Sequence, residues 1–154
     1  MQVEIILLVQ LTQAHKNSMN VQNIVNKVYP LIAKDYNSNA KVEIHSNIYE
    51  RLSGVKGMNG SACAQAEYDW SKNTIYLYTS RLFNEEDVIR ALIHECVHSL
   101  QTKEVFDEYY EVGCNYKTHP YEIEARKAEE KWYKYKITRE FELFTAYHDG
   151  EITI

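Results

Sequence analysis

The hydrophobic and polar positions of the chain fall into segments of two different periods. Val21, Ile24, Val25, Val28, Leu31 and Ile32 recur at helical spacing, with Ser18 or Asn20 placed to cap them. Pro30 lies inside this pattern and is expected to kink the helix or end its regular part. Ahead of it, Val3, Ile5, Leu7, Val9 and Leu11 alternate as a strand would, but their Leu-rich composition favours a short helix. Period-two patterning follows. In AKVEIH, Val42 and Ile44 oppose Lys41, Glu43 and His45. SNIYERLSG reads as a short helical turn ended by Gly54, and residues 62–68 and 74–79 read as a hairpin with its turn at Asp69 to Asn73. In the second arm Ile75 and Leu77 share one face, Tyr76 and Tyr78 the other.

The second half is helical. Asn84 is a good N-cap, Asp87 can reach back as in a capping box, and Glu85 and Glu86 suit the positive end of the helix dipole. Val88, Ile89, Ala91, Leu92, Ile93, Val97 and Leu100 cover more than one stripe, so this helix is expected to be central and buried. Residues 103–119 suggest a short helix and a loop around Gly113. Pro120 then suits the first turn of another helix, capped by His119 with Glu122 at the third position. That helix can run on with a break near Ile137 or Thr138, and Asp149-Gly150 ends the helical region. The expectation is an α+β fold in one domain, residues 1–154. Strands near 41–46, 62–68 and 74–79 would form a small sheet packed on helices 84–102 and 120–136.

Composition narrows the function classes. The 154 residues are 45% hydrophobic and 25% charged, ordinary for a globular chain that buries a core without staples. A formal charge of -5 argues against non-specific nucleic-acid or anionic-membrane binding. GVKGMNG lacks phosphate-loop spacing and a terminal Lys-Ser or Lys-Thr. The apolar run Ile5 to Val9 is too short to span a bilayer and has no basic residues before it, so neither a membrane anchor nor a signal peptide is expected. Cys63, Cys96 and Cys114 form no CxxC pair, which points to reduced thiols and a cytoplasmic setting.

The candidate chemistry lies in HECVH, residues 94–98. His94 and His98 stand four apart and so share one helical face, with Glu95 beside them. Two imidazoles on a buried helix need partners, and one Zn²⁺ ion would satisfy both. A catalytic zinc normally takes three protein ligands and a water. The metzincin continuation is absent, since Gln101 and Glu104 stand at its Gly and His positions. Glu124 in HPYEIEARKAEE is one candidate third ligand, a histidine (His45, His119 or His148) another, and other carboxylates remain open. Glu122 is accounted for as a cap, and Glu129 and Glu130 as surface partners of Arg126, Lys127 and Lys134.

HECVH followed by EIEARKAE resembles the gluzincin branch of the zinc peptidases, more closely the ImmA/IrrE-like and phage-encoded metallopeptidases. The similarity covers about residues 40–150 in element order, and only the two motifs are specific. It implies a zincin-like fold in which a three-stranded sheet precedes the HExxH helix and a Glu on the next helix completes the site. Its metal ligands fall on His94, His98 and Glu124, its general base on Glu95, and its small residue on Ala125. It departs from that branch in lacking Asn-Phe after Glu-Ala, where RKAEE stands instead, and in lacking a helix-turn-helix domain. HECVHSLQ is also similar to the SprT-like proteases, without their Cys zinc ribbon.

The implied activity is zinc-dependent peptide-bond hydrolysis on a protein or peptide substrate, with a non-catalytic zinc module and a SprT-like protease as alternatives. Tyr109, Tyr110, Tyr116, Tyr121 and His119 are the candidate donors for the oxyanion. Gln101 would either orient a ligand or be solvated, and Trp70 and Trp132 are expected to be core or rim aromatics.

Overall fold

A computed structural model describes residues 21–58 and 63–137. The expectations for residues 1–20, for the start of the second strand at 62, for His148 and for everything after Ile137 lie outside the described residues.

Helix α1 spans 21–36 and continues through Pro30, contrary to the expected end there. Pro30 is exposed, while Val25, Val28 and Ile32 on the opposite side are buried in the core. Burial of that apolar stripe outweighs the one backbone bond that proline removes. Asn37, at φ 53°, closes the helix in the left-handed conformation that Asn tolerates, and Ser38 N–H donates back to the Ala33 carbonyl at 2.9 Å.

Strands β1 (Lys41–His45), β2 (Ala66–Asp69) and β3 (Thr74–Tyr78) form one mixed sheet in the order β1-β3-β2. β1 runs parallel to β3, with Val42 opposite Ile75 and Ile44 opposite Leu77; β2 runs antiparallel to it, with Ala66 opposite Leu77. β3 is buried at all five positions, as the central strand of such a sheet should be. Its Ile75 and Leu77 join Val28, Ile32, Ile89, Leu92 and Ile93 in the core. Tyr76 and Tyr78 face the other way and are covered by Arg51 from helix α2 (Ile48–Ser53), whose Nε–H donates to the Tyr78 hydroxyl at 2.8 Å. β2 starts later than residue 62, and its hairpin is closed by an Asx turn. Asp69 Oδ1 accepts from Ser71 N–H at 2.9 Å and Lys72 N–H at 3.3 Å, and Asn73 takes φ 48°.

Helix α3 (Glu85–Ser99) carries HECVH and is capped as the sequence suggests: Asn84 Oδ1 accepts from Asp87 N–H at 2.8 Å. The Asp87 carboxylate reaches Phe83 N–H at 2.9 Å, one residue beyond the cap. Ten of its residues are buried, from Val88 to His98, so the HECVH face lies in a protected interior. Helices α4 (Lys103–Glu111) and α5 (Pro120–Glu129) follow. α5 packs along α3, then tightens into a 3-10 turn (Trp132–Tyr135) where a continuous helix to 136 was expected. Tyr135 inserts into the core there and donates its hydroxyl to Asp35 of α1 at 2.7 Å. Among the described residues no helix is long and apolar enough to cross a membrane.

Candidate metal centre

His94 and His98 project from successive turns of α3 with their rings 4.7 Å apart and nearly perpendicular. Neither is exposed: 9% of His94 and 4% of His98 is accessible. Glu122 comes up to them from the first turn of α5. Its Oε2 lies 3.0 Å from His94 Nε2 and 3.3 Å from His98 Nε2. His94, His98 and Glu122 thus offer three ligand atoms within 4.8 Å of one another, a cluster that could hold a metal ion.

The other ring nitrogens are engaged as well. His94 Nδ1 sits 2.7 Å from Glu129 Oε2, and His98 Nδ1 sits 2.6 Å from Gln101 Oε1. With an acceptor behind each ring, both Nε2 atoms are turned toward Glu122, which is how outer partners orient metal-binding histidines.

The third member of the cluster is therefore Glu122 and not Glu124. Glu124 is exposed and accepts from Gln101 Nε2 at 3.3 Å. The reason is rotational. At about 100° per residue, Glu124 points roughly 200° away from Glu122, whereas Ala125 and Glu129 at i+3 and i+7 return to the Glu122 face. Ala125 is fully buried and sets that face against α3. The spacing Glu122-Ala125-Glu129 was the available signal. It was obscured because a capping-box role was assigned to Glu122 and a solvated one to Glu129. His119 is the cap as expected, its Nδ1 accepting from Tyr121 N–H at 3.1 Å, but its own N–H donates to the Asn115 carbonyl at 2.8 Å and not to Glu122.

His119 is also removed from the catalytic set. It is fully buried, and its Nε2–H donates to the Phe106 carbonyl at 2.8 Å, so one nitrogen caps α5 and the other ties it to α4. Tyr109 and Tyr110 pack on this imidazole, at 5.2 and 4.6 Å between ring centres, and neither lines the cleft above the histidines. That cleft, about 1260 Å³, is bounded instead by Tyr76, Arg51, Tyr116 and Arg126, by residues 64–70 along β2, and by Phe106. Trp70 lines it too, 6.0 Å from His98 and 5.0 Å from Phe106, so it is a wall of the site and not a core residue.

Glu95 lies at the cleft floor and is 7% accessible. Burial pushes its carboxyl up to about 7, against the pull of His98 and His94 and with help from Glu122 and Glu67. Burial would lower His94, but its bonds to Glu122 and Glu129 prevail and hold it at about 10. Glu122 is raised by burial and lowered more strongly by its bonds to the two histidines, to about 2.

These shifts have a testable consequence for metal-free protein. A His94 raised above its ordinary 6.5 stabilises the fold fully below that pH, and this contribution is lost as pH rises through about 10. Glu95, raised from 4.5 to about 7, acts in the same direction over its own interval. The Tm of chelator-treated protein should therefore fall as pH is raised from about 6.5 toward 10. A Tm that rises across that range would contradict the His94–Glu122 pairing.

No family model matches the chain, and no curated protein or solved structure shows significant similarity to it.

Proposed function

We propose that this protein is a zinc-dependent peptidase of zincin type, gluzincin-like in drawing its third ligand from a glutamate on the next helix. The observation that carries the reading is the placement of a buried carboxylate, Glu95, beside a three-ligand cluster that opens on a large cleft. A structural zinc site is closed by four ligands and has no use for such a group.

The donor set suits the metal. Zinc bonds of about 2.0–2.2 Å to imidazole and carboxylate put neighbouring ligand atoms about 3.3 Å apart in a tetrahedron. The contacts at 3.0 and 3.3 Å to Glu122 Oε2 match that edge length. When bound, zinc supplies Lewis acidity, lowering the pKa of a ligated water and polarising a carbonyl.

The remaining work falls to the chain. Glu95 accepts the proton of the attacking water and returns it to the leaving amine, a task for which a pKa near neutrality is well matched. β2 is an edge strand, and residues 64–70 line the same cleft, so an extended peptide can add to it through backbone hydrogen bonds. Among the described residues Cys96 and Cys114 form no disulfide, in keeping with a reducing, cytoplasmic location.

The test is cleavage of an unstructured protein such as casein, or of a mixed peptide library. Zinc-loaded protein should cleave, a chelator should stop it, and added zinc should restore it. Stoichiometric zinc without turnover on any peptide would favour a non-catalytic zinc module.

A further inference from the structure

Gln101 stands just past the end of α3, yet its side chain and backbone together join three elements. Its Nε2 lies 3.2 Å from the Tyr121 carbonyl oxygen and 3.3 Å from Glu124 Oε2, both on α5. Its backbone carbonyl accepts from Trp70 Nε1–H at 3.1 Å, which anchors this residue to the hairpin. Its Oε1 lies 2.6 Å from His98 Nδ1.

Donor and acceptor chemistry makes this arrangement directional. A carbonyl and a carboxylate only accept, so the amide must present its NH₂ to Tyr121 and Glu124. That fixes which of its two flips the amide adopts and turns its oxygen to His98. An amide oxygen only accepts, so His98 Nδ1 carries the proton. Nε2, the atom directed at Glu122, is then the nitrogen whose proton a metal would displace.

We propose that Gln101 is a positioning residue that selects the metal-binding tautomer of His98, and that Glu124 acts on the site through it. The proposal rests on the metal reading of the cluster. It makes the two histidines unequal: His94 is backed by the carboxylate of Glu129, His98 by a neutral amide whose direction is set from α5. It also gives Glu124 a role other than metal ligand, two hydrogen bonds away from His98.

The test compares Gln101→Leu with the exchange Gln101→Glu/Glu124→Gln in the full chain, after circular dichroism shows both folded. In the exchange the new amide at 124 donates to the new carboxylate at 101, which still accepts from His98 Nδ1, while the Tyr121 carbonyl loses its side-chain donor and turns to solvent. Gln101→Leu should lower zinc affinity by roughly 10–100-fold, the usual effect of losing an outer partner. The exchange should bring it back to within a few-fold of the parent, whereas a purely structural role would leave it as weak as Gln101→Leu. Long-range ¹H–¹⁵N spectra of metal-free parent protein should show a proton on His98 Nδ1. Unchanged affinity in Gln101→Leu, no recovery in the exchange, or a His98 Nδ1 without a proton would each overturn the proposal. If the parent takes up no zinc, the metal reading fails, and the spectrum still decides the tautomer.

Discussion

Glu122→Ala is expected to abolish stoichiometric zinc uptake, while Glu124→Ala leaves it within a few-fold of the parent. The two residues are two positions apart on one helix, so substitution at either perturbs α5 propensity to a similar extent, and the difference isolates the ligand role. Glu122 Oε2 contacts both imidazoles and is 6% accessible; Glu124 is exposed and reaches only Gln101. Removing Glu122 takes away one of three ligands and leaves two buried histidines without their shared carboxylate. The loss in affinity should exceed the roughly 10–100-fold that follows removal of an outer partner. Glu124→Ala removes one of the two acceptors that hold the Gln101 amide, and the Tyr121 carbonyl remains. Elemental analysis and competition titration with a chromophoric chelator measure both. Full zinc in Glu122→Ala together with loss in Glu124→Ala would reverse the assignment.

Glu95→Gln should bind zinc like the parent and lose catalysis by at least about 10²–10⁴-fold in kcat, the range for loss of a general acid–base group. Gln preserves the volume and much of the hydrogen bonding at this buried position but cannot take a proton. Because Glu95 is outside the ligand cluster, zinc stoichiometry and Tm serve as internal controls. Equal cleavage by the parent and the variant would mean that Glu95 is not the base and that the activity arises elsewhere. This result separates an enzyme from a zinc-containing binding module more sharply than metal content does, since both would hold the ion.

Much of the local structure was legible in the residue pattern. The cap at Asn84, the burial of α3, the alternation in β1 and β3 and the start of α5 at Pro120 all depend on interactions within a few residues of each other, and those appear as spacing. Pro30 does not end α1 for the opposite reason: its local cost is real, but α1 is held by distant core residues that no window around position 30 contains.

The site divides along the same line. That His94 and His98 share a face follows from helix geometry alone, because positions i and i+4 lie one above the other wherever the helix sits. Which glutamate meets them does not follow, since it depends on the rotation of α5 about its axis when it docks on α3. That rotation is set by burying Ala125 between two helices with 20 residues of chain between them. Once docked, α5 brings Glu122 and Glu129 to His94, turns Glu124 outward to Gln101 and commits His119 to the backbone of α4. Sequence alone settled the residue types and the shared side on which one helix carries its two histidines. Only the packing of two helices decided which carboxylate completes the cluster, because a helix carries its side chains at fixed angles to one another but at no fixed angle to its neighbour.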